Sequence, residues 1–530
     1  MEFIKNKKIL ITIAILVIIF TLCSIVTLPI YNNILRDSGI FLYGGQEILN
    51  GKIIYKDFWS HTTPMIFFIN ALGLSFGLGV LGVWLVEFIL LGFSLVYFTL
   101  SMIKHFGFWV GSISGIILSV LLRSPSILEG GNLSEIYAVG FILILITYVV
   151  NNKDKKVRWI FPGFLSVLIF LTKPSLVAVP ISISLWLLYD LLRKKDKNRL
   201  LSITYFILGI IITTLVTIII LGVFGILRDF WDAVFVYQRS YLNMADFSKF
   251  ELVKNLIKVL FSHHFENIIM FSLFSAVIIF SYKYFNDDNL RIFFFIVVIG
   301  LFLNLIFIML PGTFYGHYFY SLIPIVIIGI LLFLVILFSK IFTIVSKNYM
   351  KALIIVFLFF LIGFFYPVYQ ISKSYIKLVD LTPTHFLQAK NKDKSETMTA
   401  NYIKSIPEEY DIFLWGAEPK FYFLTGRECP IKYMFVYPML TEGYFTKEKF
   451  DEVFYKLSND PPEVIIDVSN AKVPPLDKTD RENFQYIKGY NWGGITPFYT
   501  FVEENYLLTD IKVPGEESWQ VYVLKDKNIE

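Results

Sequence analysis

Carboxylates that could take a proton stand at two places in the sequence, each beside an apolar stretch. Asp37 follows the first stretch by a few residues, next to Arg36, and Glu135 closely precedes another. A carboxylate held near a membrane surface could act as a general base. Asp37 could instead cap a helix or pair with Arg36, and Glu135 could stabilise a helix N-terminus. Both alternatives stay open, and Glu129 is an alternate second acid.

Cations and aromatic residues with hydrogen-bonding groups stand at the ends of later apolar stretches. Lys173, Arg123 and Arg239 are candidates for binding a phosphate, because a fixed cation complements its charge. Lys173 could also simply extend to lipid headgroups. His317 and Tyr318 lie in an aromatic run that could hydrogen-bond a sugar, although a histidine there could also be only an interfacial polar residue.

Asp57 and His61 are second-rank candidates, either for a divalent metal or for an acceptor. Their spacing is no metal signature, so metal binding is left open and no cofactor is certain. The two cysteines, Cys23 and Cys429, have a spacing that predicts neither a disulfide framework nor a zinc site.

The composition predicts a polytopic α-helical membrane protein, since 56% of the 530 residues are hydrophobic and only 17% are charged. About eleven membrane spans are expected, with a range of ten to thirteen. The segment 64–77 is apolar too, but its 14 residues would cover only about 21 Å of a core of about 30 Å. It is therefore predicted to be an interfacial helix. The expected spans are 9–28, 80–103, 107–122, 134–151, 158–172, 175–192, 200–227, 265–284, 292–310, 318–339 and 352–372.

Basic residues predict the orientation of these spans. With 64–77 not crossing, the lysine- and arginine-rich short loops all fall on one side, which the positive-inside rule makes cytoplasmic together with the N-terminus. The net charge of +5 sits mostly in these loops, so no nucleic-acid partner is predicted. The extracytoplasmic loops are then 29–79, 123–133, 228–264 and 311–317, together with the tail after 372.

The tail differs in composition from the rest. We predict a transmembrane domain over 1–372 and a soluble extracytoplasmic α/β domain over 373–530, because charged residues become frequent there. Its expected strands are 411–416, 432–437 and 463–469, and its expected helices are 397–405 and 446–457.

The order of these motifs resembles the bacterial GT-C glycosyltransferases that use a polyprenyl-phosphate sugar donor, in the group of glycosyltransferase 39, protein O-mannosyltransferase and aminoarabinose transferase. The tail run DIFLWGAEPKFYFLTGRECP is similar to the extracytoplasmic domain of bacterial members. The other matching motifs are Asp37-Ser38-Gly39, the stretch 51–64 (GKIIYKDFWSHTTP), Gly-Asn-Leu-Ser-Glu at 131–135, Leu-Thr-Lys-Pro at 171–174, and His-Tyr-Phe at 317–319 with Pro324.

The resemblance implies a cell-membrane hexosyl- or pentosyltransferase that inverts the sugar's anomeric centre. Asp37 would deprotonate an extracytoplasmic acceptor hydroxyl, and Glu135 would orient that acceptor, which could be a cell-envelope lipid, a polymer or a protein. Lys173 and His317 would lie near the donor phosphate and sugar. Where many relatives carry Lys-Pro-Pro, this chain has Thr-Thr-Pro at 62–64, so phosphate binding could fall to Lys173 or Arg239.

Two other classes of function remain open. A transporter or flippase of lipid-linked sugars would share the span count, but it should show internal repeats and acids along a path through the membrane. The sequence shows no repeat, and Glu87 is the obvious acid within a span. A structural or sensory protein displaying the 373–530 domain would have an inert membrane part.

Overall fold

The computed structural model describes residues 7–30, 32–195, 197–243, 249–262, 287–338, 365–373, 394–490, 493–516 and 518–527. Within these ranges the chain is mainly helical, with one small sheet. Residues 365–373 are also helical. The other helices are α1 (Lys7–Ser24), α2 (Arg36–Leu49), α3 (Met65–Leu74), α4 (Val80–Phe106), α5 (Phe108–Leu121), α6 (Pro125–Leu128), α7 (Ser134–Asn152), α8 (Ile160–Thr172), α9 (Ala178–Lys194), α10 (Lys197–Val223), α11 (Leu227–Trp231), α12 (Tyr237–Asn243), α13 (Lys249–Ser262), α14 (Asp288–Phe295), α15 (Leu301–Met309), α16 (Ile323–Phe338), α17 (Lys394–Ser405), α18 (Lys420–Thr425), α19 (Tyr437–Leu440), α20 (Lys447–Asn459), α21 (Lys478–Glu482) and α22 (Thr496–Asn505).

Helices long and apolar enough to cross a membrane are frequent in the described ranges, as expected for a multi-pass membrane protein. The described residues contain seven such helices: Lys7–Thr27, Val80–Phe106, Ser134–Asn152, Pro174–Lys194, Lys197–Val223, Asp288–Met309 and Gly316–Phe338. They coincide with seven expected spans. The expected spans 107–122 and 158–172 are the shorter helices α5 and α8. The span 265–284 lies outside the described residues, and 352–372 is described only from 365.

The chain divides into two compact units, each built from three separate segments. The first comprises Met1–Leu28, Trp84–Ile219 and Phe247–Asp380. The second comprises Pro29–Val83, Ile220–Asp246 and Leu381–Glu530, so the described part of the tail is grouped with two earlier segments. A separate domain over 373–530 stays a prediction.

The first unit is a bundle of apolar helices. Helices α7 and α16 are buried on nearly all sides, whereas α10 exposes most of its apolar side chains. Apolar residues all round a helix suit either the interior of a bundle or contact with lipid. The two central helices therefore position the polar residues at their ends.

One end of this bundle carries a network of ion pairs. The buried Asp190 carboxylate lies 2.6 Å from Arg199 Nε and 3.3 Å from Lys194 Nζ, and Arg291 lies 4.0 Å away. Asp288 pairs with Arg291 and also contacts Lys194, at 2.8 Å. These residues come from two of the basic loops that the sequence places on one side of the membrane, and the structure brings them together.

The second unit corrects the expectation that 29–79 is a loop up to the interfacial helix at 64–77, because Arg36–Leu49 within it form α2. This helix contacts its neighbours through glycines, which explains its unusual sequence. A β-carbon on Gly44 would lie 2.4 Å from the Phe67 ring, and one on Gly39 would lie 2.7 Å from Lys420 Cβ. The expected interfacial helix at 64–77 is present as α3 over Met65–Leu74.

The tail segment of the second unit contains a four-stranded sheet. Its strands are β1 (Ile412–Gly416), β2 (Val464–Val468), β3 (Tyr506–Leu508) and β4 (Gln520–Leu524), in the order β1-β2-β4-β3. The pair β1 and β2 is parallel, and the other neighbours are antiparallel. The expected strands at 411–416 and 463–469 are thus present, and the expected helices correspond to α17 and α20.

The expected strand 432–437 is wrong. This segment is irregular up to α19, because its apolar residues pack around Trp59 instead of facing a sheet. The rings of Tyr433 and Phe435 lie 5.6 and 5.7 Å from the Trp59 ring, and the backbone N–H of Trp59 donates to the Lys432 carbonyl at 2.7 Å. A short apolar run can therefore pack in an aromatic cluster as well as form a strand.

A chain of polar contacts joins the three segments of the second unit. Trp59 Nε1 donates to Tyr444 Oη at 2.8 Å, and that hydroxyl donates to Asp232 Oδ2 at 2.7 Å. Lys449 Nζ lies 2.9 Å from both oxygens of Asp232. These bonds connect residues that are more than 200 positions apart, so the unit depends on all three segments.

The ion-pair network of the first unit predicts different effects for two matched substitutions. Asp190→Asn should lower the free energy of unfolding by about 3 kcal/mol, because it leaves buried cations without their partner. Asp154→Asn is the control, since Asp154 also contacts Arg199, at 3.5 Å, but its side chain is 74% exposed. That change should cost less than about 1 kcal/mol. Denaturation of both variants in detergent checks this, and equal losses of stability would contradict it.

Candidate functional site

The first unit brings Glu135 and Lys173 together, as an ion pair at the start of α7. Lys173 Nζ lies 2.8 Å from Glu135 Oε1, and the Ser134 hydroxyl donates to Glu135 Oε2 at 3.0 Å. The Glu135 side chain is 2% exposed, whereas that of Lys173 is 27% exposed. The acid is therefore a buried support, and the ammonium is the group that a ligand can reach.

His317 lies beside Glu129, the alternate second acid. The Glu129 carboxylate accepts from the His317 backbone N–H at 3.1 Å and from its Nδ1 at 2.7 Å. An ionised carboxylate only accepts hydrogen bonds, so Nδ1 must carry a proton in this contact. The second ring nitrogen, Nε2, can then accept a hydrogen bond or, in the protonated ring, donate one, and the side chain as a whole is 6% exposed.

Aromatic rings surround this histidine. Tyr315 stacks on His317 with 5.6 Å between ring centroids, and Tyr318 meets it edge-on at 4.8 Å. Lys173 Nζ lies 5.8 Å from the Tyr318 ring, within the range of a cation–π contact. We call Glu129, Glu135, Lys173, His317 and Tyr318 the Lys173 cluster. It contains two acids, an ammonium, an imidazole and a phenol, a set that can bind an anion and hydrogen-bond hydroxyl groups.

The Lys173 cluster lies at the opposite end of the bundle from the Asp190 network. Glu135 is in the first turn of α7. Just beyond the other end of that helix, the Lys153 carbonyl accepts a hydrogen bond from Nη1 of Arg199, a member of the ion-pair network around Asp190, at 2.8 Å. Glu135 and Lys153 are 18 residues apart, or roughly 27 Å along a helix. This separation agrees with the predicted sidedness of the loops.

Arg123 is a correction to the sequence-based assignment of phosphate-binding residues. It is fully buried, its guanidinium pairs with Glu87, and it lies over the Phe20 ring at 4.8 Å. A guanidinium with no exposed surface cannot reach a ligand phosphate. Its position at the end of an apolar stretch suggested an outward-facing cation, but the partner that explains its burial is 36 residues away in the sequence.

Asp37 belongs to the second unit and lies in the first turn of α2. Its carboxylate lies 3.5 Å from Arg36 Nε, and its side chain is 39% exposed. Arg36 is held in turn by Tyr437, whose hydroxyl accepts from Arg36 Nη1 at 3.1 Å. The sequence left open whether Asp37 only pairs with Arg36. The structure has this contact, and the Asp37 carboxylate also remains accessible.

Charged residues also lie near the N-terminal part of α2. Lys420, which Gly39 approaches closely, lies 3.4 Å from both Glu396 and Glu418. Burial raises the pKa of the Glu418 carboxyl, although Lys420 and Arg36 counteract this effect. Sequence reasoning missed Tyr437 and Glu418. Glu418 lies in the tail run 411–430 that is similar to a family's extracytoplasmic domain, and this similarity was a signal for it; Tyr437 lies outside that run.

Arg239 lines a cavity of about 510 Å³ in the second unit. Lys488, Asn243 and the acid Glu442 are also in its wall, so two cations, an amide and a carboxylate line a space large enough for a phosphate group. The carboxylate opposes the binding of an anion there.

Asp57 and His61 occupy different surroundings. Asp57 accepts from the Ile53 N–H at 2.7 Å and lines a cavity of about 280 Å³, whose wall also contains Glu47 and Glu428. Burial, and then Glu428, raises the pKa of Glu47. His61 instead packs among aromatic rings. Within the described ranges, no group of three or more His, Cys, Asp or Glu residues is arranged to hold a metal ion.

Comparison with known proteins gives similarity in structure alone. No family model matches the chain, and no curated protein sequence does. The structure of ArnT from Cupriavidus metallidurans bound to undecaprenyl phosphate is similar over 98% of this chain and 99% of that one, with 10% identity and a TM-score of 0.52. An Archaeoglobus fulgidus oligosaccharyltransferase, tethered with an acceptor peptide containing the NVT sequon, matches over 96% and 74%, with 12% identity. Its TM-score of 0.45 is too low to carry an argument.

The similarity to ArnT extends over almost the whole of both chains. The resemblance of the sequence motifs to the GT-C glycosyltransferases had implied this architecture. This protein therefore has the GT-C fold.

Proposed function

We propose that this protein is a GT-C glycosyltransferase that moves a sugar from a polyprenyl-phosphate donor to an extracytoplasmic acceptor hydroxyl. The observation that carries the proposal is the full-length likeness to ArnT, whose solved structure contains undecaprenyl phosphate. Two local features support it. The second unit offers an accessible carboxylate, and the first offers an accessible ammonium supported by a buried acid.

Asp37 is the proposed general base. An acceptor hydroxyl is a weak nucleophile near neutral pH, so a carboxylate must take its proton as the oxygen attacks the anomeric carbon. Asp37 suits this task because 39% of its side chain is exposed and because Arg36 and Tyr437 restrict its surroundings. The acids Glu135 and Glu129 are already engaged by Lys173 and His317.

Lys173 is the proposed partner of the leaving group. As the bond between the anomeric carbon and the phosphate oxygen breaks, negative charge builds on the lipid phosphate, and a fixed cation stabilises it. Glu135 would act through Lys173 by fixing the direction of its ammonium, which revises the expectation that this acid orients the acceptor. Arg239, in its cavity with Lys488, remains a second candidate for phosphate binding.

His317 and Tyr318 are proposed to hydrogen-bond the transferred sugar. Glu129 fixes the imidazole so that one ring nitrogen is engaged and the other is available. In a single displacement the new bond from the acceptor oxygen forms opposite the breaking bond, so the anomeric configuration inverts. The proton goes to Asp37, and the lipid phosphate leaves as an anion. The donor could carry a hexose or a pentose, and the acceptor could be a lipid, an envelope polymer or a protein.

Loss of the base should abolish most of the transfer. Asp37→Asn should lower the rate by roughly 10² to 10⁴, the usual contribution of a general base. The measurement is release of undecaprenyl phosphate by the purified protein, with a panel of undecaprenyl-phosphate hexoses and pentoses and a membrane extract as the acceptor source.

Asp451→Asn is the control for this variant, because it makes the same change at a side chain that is 55% exposed on α20. It should transfer at the unmodified rate. An unchanged rate in Asp37→Asn would remove Asp37 from the mechanism. If the unmodified protein moves the intact donor across vesicle membranes but never cleaves it, the chain is a transporter of lipid-linked sugars instead.

Glu135 and Lys173 should behave as one unit. Lys173→Ala should lower the rate constant for transfer by roughly 10- to 100-fold, the loss expected for a hydrogen bond to a charged group. Glu135→Gln should produce a smaller loss, and the double variant should be no worse than Lys173→Ala. The control is Lys156→Ala, at an exposed lysine that contacts Asn198. Additive losses in the double variant would show that Glu135 acts independently of Lys173.

A further inference from the structure

Glu129 lies in a turn with an unusual backbone. Four consecutive residues have positive φ angles, which are 43° at Glu129, 85° at Gly130, 94° at Gly131 and 52° at Asn132. Residues with a β-carbon rarely adopt this conformation, and Glu129 and Asn132 both have one. The glycines allow it at no steric cost. The two other residues need contacts from outside the turn to hold them there.

Glu87, on α4, supplies such a contact. Its Oε2 accepts a hydrogen bond from the Asn132 backbone N–H at 2.9 Å, and its Oε1 pairs with Arg123. The Asn132 side chain is held separately, because Tyr137 Oη donates to its Oδ1 at 3.1 Å. The end of the turn is thus fixed through both its backbone and its side chain.

The contact is built into the interior of the first unit. Glu87 is 1% exposed and Arg123 is 0% exposed. Arg123 Nη1 also lies 3.4 Å from Thr27 Oγ1, which accepts from Trp84 Nε1 at 3.1 Å. A charged pair within a membrane bundle is expensive to bury and commonly marks a functional requirement. The proposed transfer assigns this pair no role in the chemistry.

The other end of the same turn contacts the Lys173 cluster. Glu129 accepts from both the backbone and the ring of His317, so the position of the imidazole follows that of the turn. Gly316, the residue before His317, also packs closely against this region. A β-carbon on Gly316 would lie 2.9 Å from the Ser126 carbonyl oxygen and 3.1 Å from Glu129 Oε1.

We infer that Glu87 is a positioning residue, which holds the 129–132 turn in its left-handed conformation and thereby fixes Glu129 and His317. Its action on sugar transfer rests on the function proposed above. Its effect on the conformation of the turn does not rest on that function, so the effect on the turn and the effect on transfer can be tested separately.

The test compares Glu87→Gln with Ser94→Ala by hydrogen exchange and by transfer assay. The two donors face different oxygens of Glu87, and a glutamine replaces one of these oxygens with an NH2 group that cannot accept a hydrogen bond. Either Arg123 or the Asn132 N–H therefore loses its partner. Exchange of the amides in 129–133 should become at least 10-fold faster, and transfer should fall at least 10-fold. Ser94→Ala is the matched control. The Ser94 hydroxyl donates to the Gly140 carbonyl at 3.0 Å, so this change removes a contact of α4 with α7 and leaves the contact with the turn in place. It should change neither measurement.

Tyr137→Phe provides a milder variant, in case Glu87→Gln fails to fold. It removes the hydroxyl that holds the Asn132 side chain and should speed exchange in the same peptide by a few-fold. Unchanged exchange in either folded variant would overturn the inference. Faster exchange with normal transfer would also overturn it, provided that Asp37→Asn is inactive. If the unmodified protein transfers no sugar, the proposed function fails, and the exchange data alone decide whether Glu87 holds the turn.

Discussion

Burial of charge is the constraint on which the first unit depends. An ionised side chain cannot stay unpaired among apolar helices, so its position is determined by the partner that neutralises it. At one end of the bundle, Asp190 pairs with cations from two loops, and inside the bundle Glu87 pairs with Arg123. Glu135 is also buried and paired, but its partner Lys173 stays partly exposed. Pairing thus fixes structure in the first two cases and prepares an accessible ammonium in the third.

The second unit is organised by packing and hydrogen bonds instead. Its helix α2 has glycines where α3 and α18 approach, and its irregular segments gather around Trp59. Asp37 lies at the start of that helix, beside Arg36, which Tyr437 holds. The accessible carboxylate is therefore carried by a helix with little freedom to shift, as a group with a precise geometric task requires.

Seven of the expected spans and the sheet strands at 411–416 and 463–469 could be predicted from the sequence, because hydropathy patterns are local. The GT-C fold was implied by the resemblance of the motifs to a known family. Partners distant in the chain could not. Glu129 and His317 are 188 residues apart, and a charge pattern does not reveal which acid meets which base. Arg123 was misassigned for this reason. The helix at Arg36–Leu49 was missed because its glycines and polar residues are typical of a loop.

The three-segment construction of the second unit has a consequence for biosynthesis. Trp59 bonds to Tyr444, 385 residues later, and Tyr444 bonds to Asp232. The bundle helices can pair as they are made, but the segment that carries Asp37 must wait for nearly the whole chain before it gains these contacts. Such long-range closure is slow, and it leaves the early segments exposed while synthesis continues. The first unit, by contrast, has acquired every residue of its Lys173 cluster once the ribosome has passed Tyr318.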